Sequence, residues 1–188
     1  YSARITPEDM SELANYFAAQ EQINGLDKLL YSFDLGRWHF VVWPDPLRGG
    51  FWDAHPHFFD WLDEDLRRHR NRPTIVFQHV SVLPIGIDPM IAYAESVPVK
   101  RRLLDVLARH GNVRYVFSGH THIPLRASLK TARTYKGIHF INLPAAGYRA
   151  RGFGEPDFGG HPSQGFALVR VRGDEATVQF QRLEGGTF

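Results

Sequence analysis

Apolar residues change their period several times along the chain, and each change marks an element. Over residues 7–24, Met10, Leu13 and Phe17 recur at helical spacing. Thr6 is placed to cap that helix, Pro7 suits its first turn, Asp9 sits at the capping-box position and Gly25 supplies the stop. Residues 31–43 are rich in aromatic and β-branched side chains and are interrupted at Gly36, which predicts two strands joined by a tight turn. A loop with Pro44, Pro46, Gly49 and Gly50 follows. Phe58, Trp61, Leu62 and Leu66 return to helical spacing over 57–69, and Pro73 closes that segment. Residues 74–77 form a short apolar strand that delivers Gln78 and His79, and the irregular stretch 80–96 is long enough to be a functional loop. A helix over 99–110 points Leu103, Leu104 and Leu107 inward and stops at Gly111; a strand over 113–117 then runs directly into Ser118-Gly-His-Thr-His122. The remainder reads as strands at 125–131, 134–142, 165–171 and 176–182, with a Gly- and Pro-rich loop over 143–164.

Helix–strand alternation followed by a run of strands predicts an α/β chain, a mixed two-sheet β-sandwich flanked by helices. The length of 188 residues suits one domain with a real core. No apolar run approaches the roughly 18 residues of a membrane span, and no targeting segment is visible, so no compartment follows. With no cysteine in the chain, disulfides, thiolate metal sites and cysteine nucleophiles are excluded, and any metal must be held by His and oxygen ligands. A net charge of +2 gives no argument for a nucleic-acid partner. Arg67, Arg68, Arg70 and Arg72, and Lys100, Arg101 and Arg102, read as solvated helix faces.

The chemistry is concentrated in histidines. His-x-His occurs twice, as His55-Pro56-His57 and His120-Thr121-His122, and context separates them. The first pair precedes an amphipathic helix and is read as exposed. The second follows a buried strand and Gly119, where the backbone can bend and two imidazoles can converge on one ion. His79 ends the preceding strand. The strand–helix–strand spacing makes the two strands parallel neighbours and brings their ends side by side. Three imidazoles at one sheet edge are costly as packing and natural as a metal site for Zn, Fe, Mn, Co or Ni. Asp45 is a second-rank carboxylate, read as a turn residue.

The stretch Thr74-Ile-Val-Phe-Gln-His79, then Tyr115-Val-Phe-Ser-Gly-His-Thr-His122, resembles the last two blocks of the calcineurin-like metallophosphoesterases. Residues 31–40 and 58–66 resemble the strand pair and the helix that precede them. The resemblance implies that residues 1–188 are the C-terminal portion of a single calcineurin-like phosphoesterase domain. The family's opening Asp-x-His, Gly-Asp and Gly-Asn-His blocks, and its general acid, are then expected upstream of Tyr1. It also implies a phosphomonoesterase or phosphodiesterase using a metal-activated water at a two-metal site of Mn, Fe, Zn or Co, with His79 and His120 on one metal and His122 on the other. Tyr148 and Arg149, with Arg151 and His161 nearby, are the candidate substrate contacts, and the partner is a phosphate ester. The alternative is a noncatalytic binding module that retains a partial metal site.

Overall fold

The computed structural model describes residues 30–43, 56–83, 97–144 and 165–182. The helix expected over 7–24, Asp45, and the loop residues Tyr148, Arg149, Arg151 and His161 lie outside the described residues. In chain order the elements are β1 (Tyr31–Leu35), β2 (Trp38–Val42), α1 (His57–Arg68), β3 (Thr74–Phe77), α2 (Val97–Arg109), β4 (Val113–Ser118), α3 (Leu125–Thr131), β5 (Arg133–Tyr135), β6 (Ile138–Asn142), β7 (Gly165–Arg172) and β8 (Glu175–Arg182). The first six strands in space run β1-β2-β3-β4-β6-β5, and β7 and β8 form a separate two-stranded sheet. Strands β2, β3, β4 and β6 are parallel, with β1 and β5 antiparallel at the edges.

Alternation along the strands explains how the sheet is covered on both faces. Val41, Val76, Val116 and Phe140 point to one side and share a core with Phe59, Leu62 and Leu66 of α1 and Leu103, Val106 and Leu107 of α2. Trp38, Ile75, Phe117 and Ile141 point to the other, where Val169, Ala176, Val178 and Phe180 of the β7–β8 hairpin pack against them. The hairpin is also pinned by polar contacts. The Trp38 indole N–H donates to the Gly173 carbonyl at 2.9 Å, and the Tyr115 hydroxyl donates to the Ala176 carbonyl at 3.0 Å.

Two expectations are corrected. Residues 125–131 are a helix, not a strand. Pro124 precedes it in extended conformation, and Pro124, Ala127, Ser128 and Thr131 are buried at helical spacing. The buried stripe is small or polar, so a search for large apolar residues does not see it. The single strand expected over 134–142 is a β5–β6 hairpin. Lys136 (φ 49°) and Gly137 (φ 80°) form its two-residue turn, since positive φ at both central positions matches the right-handed twist of the strands.

Candidate metal centre

β3 and β4 are in parallel register, with Phe77 opposite Phe117, so the chain leaves both strands at the same edge. The Gly119 N–H donates to the His79 carbonyl at 2.8 Å and carries the pairing one step beyond the strands. His79 and His120 are thereby brought into contact. His120 Nδ1 lies 3.1 Å from His79 Nε2, and the rings meet nearly edge to face at 74°. Burial pushes the His79 pKa down, and the neighbouring charges of His120 and His122 push it in the same direction. The residue is nevertheless exposed to solvent. His79 is therefore poised in the neutral form, with a lone pair to offer.

The bend in the second loop is made by the histidines themselves. Sequence reasoning assigns it to Gly119, but it is His120 (φ 65°) and His122 (φ 48°) that take left-handed backbone. The Thr121 N–H donates to the Gly119 carbonyl at 2.7 Å, closing a γ-turn centred on His120. Positive φ at the centre of such a turn is the strained form, and strain of this kind collects at functional sites. His122 is close enough for its charge to act on His79. The trio does not bring one nitrogen each to within 4.8 Å of one another; among the described residues that criterion is met by Asp34, His39 and His69 instead. His57, from the other His-x-His pair, is the exposed first residue of α1, as expected.

Beneath the two loops the strand tips carry a row of buried polar residues, Gln78, Ser118 and Asn142. The Ser118 hydroxyl donates to Asn142 Oδ1 at 2.8 Å, and Leu143 N–H donates to the Ser118 carbonyl at 2.6 Å. This ties β6 to the base of the histidine loop. Sequence reasoning did not single out Ser118 or Asn142, although each is a polar residue ending a mostly apolar strand. Removing the hydroxyl by Ser118→Ala leaves the Asn142 carbonyl buried without its donor, so a loss of about 1–3 kcal/mol in urea unfolding is expected; a loss below a few tenths would show that the link carries no load.

His79 and His120 fit a metal by geometry and by chemistry. Two imidazole nitrogens on a tetrahedral ion with bonds of about 2.0–2.1 Å stand roughly 3.3–3.4 Å apart, close to the separation of His79 and His120. Neutral imidazoles on rigid strand tips are the ligand type that borderline transition metals take.

No family model matches the chain. It is 23% identical over 156 residues to a curated 3',5'-cyclic-nucleotide phosphodiesterase from Nostoc sp., covering 81% of this chain and 55% of that protein. The chain thus spans about half the length of the curated relative it matches. Among solved structures it is similar to a dimetal phosphatase from Danio rerio, with a TM-score of 0.58, 19% identity, and 94% of this chain and 64% of that one covered. It is also similar to a purple acid phosphatase from yellow lupin (Lupinus luteus) seeds, with a TM-score of 0.53, 14% identity, and 83% and 30% covered. The mixed sheet flanked by helices is therefore a fold shared with these phosphatases.

Proposed function

We propose that this chain, which resembles the calcineurin-like metallophosphoesterases in sequence and in fold, carries the C-terminal part of a metal-dependent phosphoric ester hydrolase. The observation that carries the reading is the contact between His79 and His120 at the tips of neighbouring parallel strands. In this reading His79 and His120 hold one transition metal and His122 holds a second, which accords with His122 standing apart from a common 4.8 Å cluster. When bound, such a pair draws charge from the phosphate oxygens and lowers the pKa of water. The residues of this chain do the positioning. The Gly119–His79 backbone bond fixes the two loops against each other, the γ-turn aims His120, and the Ser118–Asn142 bond holds the base of the loop to β6. Tyr148 and Arg149 remain the proposed substrate contacts. The name of the Nostoc relative makes phosphodiesters, cyclic nucleotides among them, the first substrates to try.

The test is made on the full-length protein reconstituted with Mn²⁺, Fe²⁺ or Zn²⁺. It is expected to retain metal through gel filtration and to hydrolyse bis-p-nitrophenyl phosphate or p-nitrophenyl phosphate but not a carboxylic ester. Retained metal without turnover on either phosphate would establish the binding-module alternative, and no retained metal would end both.

A further inference from the structure

At the opposite end of the sheet lies a second cluster that the proposed activity does not use. His39 is the buried second residue of β2, opposite Asp34 of β1 and beside Thr74 at the start of β3. It is therefore at the N-terminal ends of the parallel strands, roughly 16 Å along the strand direction from the level of His79. Its Nδ1 lies 2.8 Å from Asp34 Oδ1, and its Nε2 lies 2.8 Å from Asp65 Oδ2 of α1. We propose that His39 is held as an imidazolium between Asp34 and Asp65, and that this triad is a proton-operated latch fastening α1 to the β1–β2 hairpin.

The protonation state follows from counting donors. A carboxylate only accepts, so two carboxylate oxygens at hydrogen-bond distance from both ring nitrogens require an N–H on each. The remaining oxygens are also engaged. Asp65 Oδ1 accepts from the Ser32 hydroxyl at 2.9 Å, and Asp34 Oδ2 lies 3.6 Å from the Arg72 guanidinium. Two cations, His39 and Arg72, thus balance two anions, Asp34 and Asp65. The His69 ring stacks on His39 with centroids 3.7 Å apart and planes 11° from parallel, and its Nδ1 lies 2.8 Å from the Asp65 carbonyl. With His39 only 1% exposed, water does not compete for these bonds.

Asp34, His39 and His69 bring ligand atoms within 4.8 Å of one another, so a metal is the rival occupant. A proton fits better. Both nitrogens of His39 sit at hydrogen-bond length from carboxylates, the lone pairs of two parallel stacked rings run side by side instead of converging, and Arg72 already supplies the second cation.

The pH window follows from the signs. Burial pushes the His39 pKa down, but the bonds to Asp65 and Asp34 and their charges push harder, and the net shift is upward. Its folded value thus exceeds the unfolded value of about 6.5, so its stabilisation is complete below about pH 6.5 and is lost as pH rises through the folded value. Burial raises the Asp34 pKa, yet the His39 bond and the charges of Arg72, His39 and His69 win and lower it. Its stabilisation is present above about pH 3.9 and is lost as pH falls through the depressed value. The latch is fully closed between roughly pH 4 and 6.5. At higher pH a neutral His39 keeps one N–H and turns a lone pair on one carboxylate. Asp34, 38% exposed against 11% for Asp65, is the side that opens to water.

Imidazole nitrogen NMR of the full-length protein across pH 4–10 tests this directly. Both His39 nitrogens are expected to be protonated at about pH 6 and to titrate above about 6.5. In parallel, the unfolding equilibrium constant is expected to rise by up to about tenfold per pH unit between 6.5 and the folded value, and His39→Gln is expected to remove that rise. If His39→Gln fails to fold, Asp34→Asn serves instead and is expected to move the His39 titration to lower pH. A His39 singly protonated at about pH 6, a titration at or below its ordinary value, or Zn²⁺ binding at one equivalent that shifts the His39 and His69 signals together would overturn the latch. None of these outcomes bears on the phosphoesterase reading, which concerns the other end of the sheet.

Discussion

Replacing His79 or His120 by alanine in the full-length protein is expected to abolish binding of the metal they share and to cut phosphoester hydrolysis by well over the roughly 10–100-fold that loss of an outer-shell partner costs. The reasoning is geometric. The two rings converge from loops locked by a backbone hydrogen bond, so neither neighbour can swing in to replace the other. His122→Ala is expected to leave one metal and remove the second, which elemental analysis resolves as a change in stoichiometry. The fold should survive all three changes, because the histidines sit at solvent-accessible tips and not in either core. A sharper version uses backbone strain. His120 pays for its left-handed conformation, so His120→Gly should leave stability unchanged or raise it by up to about 1 kcal/mol, while eliminating the metal. Unaltered metal content in either His79→Ala or His120→Ala would sink the proposed centre.

How much of this was legible in the sequence depends on what each element uses for its signal. The β1–β2 turn at Gly36, α1, β3, α2 and β4 all announce themselves through large apolar residues at a clear period, and each was expected within two residues of where it lies. The parallel pairing of β3 and β4, and with it the meeting of His79 and His120, followed from spacing and the handedness of crossovers. α3 was missed because Ala127, Ser128 and Thr131 face inward without the hydrophobicity that a periodic search counts. The β5–β6 turn was missed because Lys136 in left-handed backbone carries no special turn signature beside Gly137. The latch was out of reach. Asp34, His39, Asp65 and His69 come from three elements, and only the folded topology shows that the ring of His39 has carboxylates on both sides. The placement of the loop strain on His120 and not on Gly119 was likewise a property of the closed γ-turn, set by the hydrogen bond between Thr121 and Gly119.

Trp38→Ala is expected to cost about 3–5 kcal/mol, the range for deleting a large aromatic side chain from a core. Trp38 is 2% exposed, lies with Ile75, Phe117 and Ile141 between the main sheet and the β7–β8 hairpin, and donates its indole N–H to the turn carbonyl of Gly173. Trp38→Phe keeps most of the buried surface and loses the donor, so it should cost only about 1 kcal/mol for the hydrogen bond plus the loss of packed volume. Urea unfolding of the pair separates the two contributions, and a Trp38→Ala variant within 1 kcal/mol of wild type would mean that the hairpin is not held by this contact. The comparison with the histidine variants then discriminates structure from site. Trp38→Ala should lower stability while each folded molecule still binds its full complement of metal, since Phe117 and the Ser118–Asn142 bond remain beneath the loop. His120→Gly should do the reverse. If Trp38→Ala instead lost metal in step with stability, the loop geometry would have to depend on the hairpin, and the strand tips could not be the rigid platform on which the proposed metal centre rests.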